Sequence, residues 1–196
     1  MKSETGTQYS AQSDKNYFGF WVYLMTDLIM FAGLFAAFAV LRNNTFGGPS
    51  GKNIFDLPFV LIETVLLLTS SFTCGLAVLS AVRNKKKGTI CLLGLTFLLG
   101  AGFLAMELYE FSHLFEEGNT FQKSAFLSSY FSLVGTHGLH ITAGLIWMII
   151  LFLYILKKGL TKGSVRKLTL FGLFWHFLDI VWIFIFTIVY LMGVAL

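Results

Sequence analysis

The sequence predicts an all-α integral membrane protein, a bundle of five transmembrane helices with its N-terminus cytoplasmic and its C-terminus periplasmic. Three observations carry that expectation. The 196 residues are 56% hydrophobic and only 12% charged, with a mean hydropathy of +0.76, whereas soluble domains carry about 25% charged residues. The apolar residues form unbroken runs long enough for a hydrocarbon core that takes about 20 residues to cross. Lys and Arg crowd the connections on one side of those runs.

The chain begins with MKSETGTQYSAQSDKN, which is polar and lacks the apolar h-region of a signal peptide. Residues 1–16 read as a short cytoplasmic tail without stable structure. The remainder, 17–196, reads as one transmembrane domain. Its spans fall at 18–42, 57–82, 88–112, 125–156 and 167–195. Helices are expected because the apolar runs are continuous, whereas barrel strands would alternate. The connections are NNTFGGPSGKNIFD with Pro49, the basic turn NKKK, the acidic HLFEEGNTFQKS and the basic KKGLTKGSVR. None is long enough to be a separate domain.

Orientation follows from the cations. Lys2, Lys15, Arg83, Lys85, Lys86, Lys87, Lys157, Lys158, Lys162, Arg166 and Lys167 make 11 on one side, against Arg42, Lys52 and Lys123, which make 3. The richer side is the cytoplasmic one, and an odd number of spans puts the C-terminus opposite. Tyr17, Trp21 and Tyr23 at the inner end, and Tyr109 and Tyr190 at the outer end, read as interfacial aromatics. The excess of cations belongs to membrane topology and does not point to nucleic acid. Cys74 and Cys91 both lie in apolar stretches, so no disulfide framework is expected.

Eight Asp, Glu and His residues fall within the spans. Span 1 has Asp27, span 2 Glu63, span 3 Glu107 and Glu110, span 4 His137 and His140, and span 5 His176 and Asp179. A charge at the bilayer centre costs about 2.5–3.5 kcal/mol even on the lenient insertion scale, so these groups should face other helices, each other or a polar ligand. At about 1.5 Å per residue, Glu63 and Glu107 share a depth toward the outer leaflet, and the other residues except Glu110 fall nearer the midplane. His137 and His140, and likewise His176 and Asp179, are three apart and share a helical face. Glu63 is expected near Glu107 or His137, and Asp27 near one of the midplane groups. Gly94, Gly100, Ala101 and Gly102, with Gly135, Gly138, Ala143 and Gly144, should let spans 3 and 4 approach their neighbours.

Four roles fit such groups. They could be haem or di-iron ligands, although a di-iron site wants paired Glu-x-x-His repeats and this chain offers ELYE and HFLD. They could line an ion path, although no inverted repeat is evident. They could fix helix packing, or they could bind lipid. The residues alone leave these open.

Two stretches narrow the choice. GTHGLHITAGLIW (135–147) and FWHFLDIVWIFIFTIVYLMG (174–193) resemble the paired signatures of subunit III of the haem–copper terminal oxidases. The matching positions are His137, Gly138, Leu139, His140 and Gly144, then Trp175, His176, Phe177, Asp179, Val181 and Trp182. LPFVLIETVLLLTSS and LLGAGFLAMELYEF resemble two further spans of that family, with Glu63 where cytochrome c oxidases usually have Asn and Glu110 at the family's Glu. The five-span form and the stretch GGPSGKNIFDLPFVLIET are most like the branch found in cytochrome o type ubiquinol oxidases. A menaquinol or cytochrome c oxidase is the alternative within the family. An independent membrane carrier of haem or quinone is the alternative outside it.

The resemblance implies a non-catalytic subunit of a complex in a bacterial inner membrane. It implies no cofactor in this chain, haem and copper in subunit I, subunits I, II and IV as partners, and bound phospholipid between the helices. It also implies support for complex stability and for sustained proton uptake, in a complex that oxidises quinol, reduces oxygen to water and pumps protons. Asp27 falls where seven-span members carry a carbodiimide-reactive Glu. Its shorter side chain is a departure that leaves the reactivity open.

Overall fold

Five long helices dominate the computed structural model, which describes residues 2–42, 44, 56–118 and 120–195. α1 is Lys2–Leu41, α2 Leu57–Val82, α3 Lys86–Glu116, α4 Ala125–Lys158 and α5 Lys162–Ile185. α5 continues through a π-helical turn, Phe186–Leu191, into a short α6, Met192–Ala195. The apolar stretches Tyr17–Leu41, Leu57–Val82, Lys86–Glu116, Ala125–Lys158 and Lys162–Val194 are each long enough to cross a membrane. No strand occurs among the described residues. Asn43, residues 45–55 with Pro49 and Lys52, and therefore nearly all of GGPSGKNIFD, lie outside the described residues.

The helices start and stop where local chemistry allows. Pro58 lies in the first turn of α2, where a missing N–H leaves no helical bond unmade. Ser124 caps α4, its Oγ accepting from the Leu127 N–H at 3.1 Å. Gly159 ends α4 with φ of +71°, a conformation that favours glycine. Thr161 and Ser164 then form a reciprocal capping box that opens α5. This box explains one shift from expectation. Lys162–Arg166 belong to the first turns of α5, not to a loop, so the connection shrinks to Gly159–Thr161. α3 likewise runs on to Glu116.

The N-terminal segment departs further. Residues 2–16, expected to lack stable structure, continue α1 as one helix. The segment has no proline, and extending an existing helix avoids the unfavourable nucleation step.

α2, α3, α4 and α5 pack as a closed ring, each against the next and α5 back against α2. α1 lies outside the ring, against α4 and α5. The ring is built on two fully buried indoles of α5, Trp175 and Trp182, seven residues apart and so on one face. Gly100 of α3 and Gly144 of α4 make room for the first: a Cβ on either would come within 2.8 Å of the Trp175 ring. Gly138 makes room for Glu107 in the same way, at 2.6 Å from Oε1. The expectation of close approach fails at Gly94 and Gly102, where a Cβ would meet nothing within 4 Å.

Candidate functional site: the polar interior

The hydroxyls of α2 organise the middle of the ring. Thr64 Oγ1 accepts from Trp182 Nε1 at 3.0 Å, and Ser70 Oγ accepts from Trp175 Nε1 at 3.0 Å. Ser70 in turn donates to the Thr96 carbonyl of α3 at 3.3 Å, while Thr73 and Thr96 share a hydrogen bond of 2.9 Å. Both core indole N–H groups thus meet an oxygen on a neighbouring helix, which a buried donor needs. Ser71 serves α5 twice. Its Oγ is 2.6 Å from His176 Nδ1, and it lies within interaction range of Asp179. His176 and Asp179 therefore share a face, as their spacing predicts, and meet through one hydroxyl of α2.

Asp27 reaches α4 instead. Its Oδ2 lies 3.8 Å from His140 Nε2, and its carboxyl lies within interaction range of Tyr23, one turn earlier. His140 donates through Nδ1 to the Thr136 carbonyl at 2.7 Å. That bond fixes the tautomer: in a neutral ring Nε2 is then a lone pair. The Asp27–His140 contact is therefore attractive only when one of the two carries an additional proton.

Glu63, Glu107 and His137 are the most deeply buried of these residues, at 0%, 1% and 0% exposure. Glu63 lies within electrostatic reach of both Glu107 and Glu110, in keeping with the shared depth read from the sequence. His137 stacks on Trp182, with ring centroids 5.3 Å apart, and meets the edges of Phe103 and Phe31. Glu110 is half-buried toward the end of the bundle that carries Asp56 and His113. Its Oε2 accepts from the Tyr190 hydroxyl at 2.9 Å, which is 3.0 Å from the Tyr130 hydroxyl.

Tyr190 corrects an expectation. It is fully buried and bonded to a carboxylate, so it is no interfacial aromatic. The clue is its spacing: Trp175, Trp182 and Tyr190 recur at seven and eight residues and share one face. Tyr130 and the two indoles are likewise members of the site that the charged residues alone did not mark. Tyr109, at 64% exposure, does lie on the surface.

Nδ1 of His140 and of His176 is engaged, His176 Nε2 turns toward Gly75 of α2, and His137 is enclosed by aromatic rings. Among the described residues, no three His, Cys, Asp or Glu side chains converge as a metal site. An elongated cleft of about 620 Å³ opens between α1 and α5. It is lined almost wholly by apolar side chains, from Trp21 to Phe35 on one wall and from Leu173 to Ile188 on the other, with His176 among them. The α1 wall is about 21 Å long at the helical rise.

An inward-facing polar set on five membrane helices is the setting in which likeness to known proteins becomes informative. Residues 3–194 match the family of cytochrome c oxidase subunit III. The chain belongs to that family. It is 58% identical over 176 residues to the cytochrome bo(3) ubiquinol oxidase subunit 3 of Pseudomonas aeruginosa, covering 90% of this chain and 84% of that one. It is 45% identical over 194 residues to the quinol oxidase subunit 3 of Bacillus subtilis, covering 98% and 95%. A cytochrome c oxidase subunit 3 of the same organism is 45% identical over 186 residues, covering 94% and 89%. Subunit III sequences that serve different electron donors are thus alike in these spans, and the higher identity lies with the ubiquinol oxidase relative. Subunit III of this family is non-catalytic, and the haem and copper of such oxidases are carried by other subunits.

Proposed function

We propose that this chain is the third subunit of a quinol-oxidising, oxygen-reducing complex of the cytochrome bo(3) kind, and that it serves the complex as a scaffold without moving electrons. The likeness to the Pseudomonas aeruginosa subunit, over 90% of this chain, is the observation that carries the reading. The interior supports it. Asp27 faces His140, Glu110 accepts from Tyr190 and His176 meets Ser71, while Glu63, Glu107 and His137 are enclosed by the ring.

In this reading the basic turns around Lys85–Lys87 and Lys157–Lys167 face the cytoplasm, and the end with Asp56 and His113 faces the periplasm. The polar tail 1–16 is cytoplasmic, with 2–16 extending α1, and 17–196 is the membrane domain of a bacterial inner-membrane protein. The proton-pumping subunit I, with subunits II and IV, packs outside the ring. The cleft between α1 and α5 takes a phospholipid acyl chain, which its apolar walls suit. By holding lipid and α1 in place, the subunit supports complex stability and sustained proton uptake by subunit I, with Asp27 as the adjustable contact.

The experiment is purification through an affinity tag on this chain, followed by oxygen uptake with ubiquinol, menaquinol or reduced cytochrome c as donor. Co-purification of larger haem-bearing subunits and ubiquinol-driven uptake are expected. Uptake driven by cytochrome c or menaquinol would move the chain to another branch of the family. A Soret band on the chain free of its partners would make it a carrier and overturn the reading.

A further inference from the structure

Among the described residues, six of the buried nitrogen and oxygen atoms without a hydrogen-bond partner belong to three side chains: both oxygens of Glu63, both of Glu107 and both ring nitrogens of His137. The three come from α2, α3 and α4. A polar atom buried without a partner is costly, and a buried charge more so. At 0% exposure, Glu63 and His137 are out of reach of any neighbouring subunit. What can satisfy them must be small enough to lie inside the ring.

Charge narrows the choice. Glu63 interacts electrostatically with both Glu107 and Glu110, and no Lys or Arg occurs within 57–82, 88–112 or 125–156. Buried carboxylates within electrostatic reach of one another cannot all ionise, so a proton is the counter-charge that the chain's own chemistry calls for. Water is the ligand that suits the remaining unmet atoms.

The outer part of a route to the site is visible. A surface pocket of about 410 Å³, lined by Asp56, Glu110 and His113 among others, opens at the acidic end. Glu110 accepts from Tyr190 at 2.9 Å, and Tyr190 is 3.0 Å from Tyr130. Tyr130 lies within electrostatic reach of Glu107 and Glu63. The π-helical turn Phe186–Leu191 carries Tyr190 into this chain of hydroxyls, and such turns recur at functional sites. The other ionisable groups around the site are placed. His140 lies within electrostatic reach of His137 and contacts Asp27 of α1, while His176 and Asp179 of α5 meet at Ser71.

We propose that Glu63, Glu107 and His137 enclose a hydrated site that holds one exchangeable proton, reached from the acidic end through Glu110, Tyr190 and Tyr130. Hydronium in the pocket protonates Glu110, whose carboxyl O–H then donates to Tyr190 in place of the bond it accepts; the Tyr190 hydroxyl turns to donate to Tyr130, which passes a proton on through water in the site. It comes to rest as a carboxyl O–H on Glu63 or Glu107, and the charge of the cluster rises by one. The proposal does not depend on which side of the membrane the acidic end faces, nor on the electron donor.

Infrared spectra of the intact complex containing this chain, transferred from H2O to D2O, test it. The wild type should show a carboxylic acid C=O band that shifts on deuteration and is altered by Glu63→Gln or Glu107→Gln. Tyr190→Phe should slow the shift by about a hundredfold, the low end of what a positioned proton-transfer group supplies. A band untouched by both Gln substitutions, or an equally fast shift in Tyr190→Phe, overturns the proposal. If the Gln variants fail to assemble, a high-resolution map of the wild-type complex decides. Ordered water within hydrogen-bond distance of Glu63, Glu107 and His137 supports the site, and a dry enclosure around them refutes it.

Discussion

α1 and α5 each carry one aspartate into the membrane, and they hold it differently. Asp179 lies in the closed ring, beside the Ser71 hydroxyl that also meets His176. Asp27 lies on the helix outside the ring and faces His140 across 3.8 Å. The α1 span is less buried than that of α5, and the cleft separates part of the two. The ring is held by interdigitated rings and indole–hydroxyl bonds that do not depend on protonation. The contact through which Asp27 meets α4 does depend on it. Changes in the ring should therefore act on assembly, and changes at Asp27 on what α1 helps to hold.

The largest effect should come from the ring. Trp182→Ala removes an indole that packs on Phe103 and His137 and donates to Thr64. Truncations of this kind cost about 3–5 kcal/mol. This chain should be lost from the purified complex, as read by subunit stoichiometry and thermal unfolding; retention at full stoichiometry would mean that the ring does not depend on its indoles.

A smaller loss is expected for Gly144→Ala, whose Cβ would come within 2.8 Å of Trp175. Overpacking of this kind costs about 1–3 kcal/mol. Gly102→Ala, with nothing within 4 Å, should leave the unfolding temperature nearly unchanged. Equal effects of the two substitutions would contradict the packing described around Trp175.

Asp27→Asn sharpens the contrast from the other side. Asn cannot share a proton with His140, yet it keeps the shape of the side chain. Phospholipid retained per complex should fall and inactivation during turnover should quicken, while the initial rate of oxygen reduction changes less. An initial rate that falls as far as the lifetime would place Asp27 in the chemistry of the complex. The smallest effect belongs to the basic end, where Lys158 and Lys167 lie 5.2 and 4.3 Å from the centre of the Tyr154 ring. Tyr154→Leu should lower stability by about 0.5–1 kcal/mol, read from the unfolding temperature of the complex.

Much of this was legible in the sequence because the bilayer restricts the choices. Continuous apolar runs admit helices alone, so the five spans follow from composition and length. Burial of Asp27, Glu63, Glu107, His137 and Asp179 follows from the cost of exposing them to acyl chains. Their pairing does not, because depth along a helix leaves rotation about its axis free. Depth brought Glu63 and Glu107 together but could not choose His140 for Asp27. Tyr190 was misplaced because a tyrosine near the end of a span has the same local pattern whether it faces headgroups or a buried carboxylate. Helix ends moved because capping by Thr161 and Ser164 is a local hydrogen-bond pattern that hydropathy does not see.

The central claim is that this chain orders the membrane part of an oxidase without carrying its electrons. Haem and copper content per copy of the largest subunit, compared between complexes prepared with and without this chain, tests it most directly. The account predicts equal content of both, with the preparation lacking the chain failing sooner during turnover. Loss of a stoichiometric haem or copper together with this chain would contradict it.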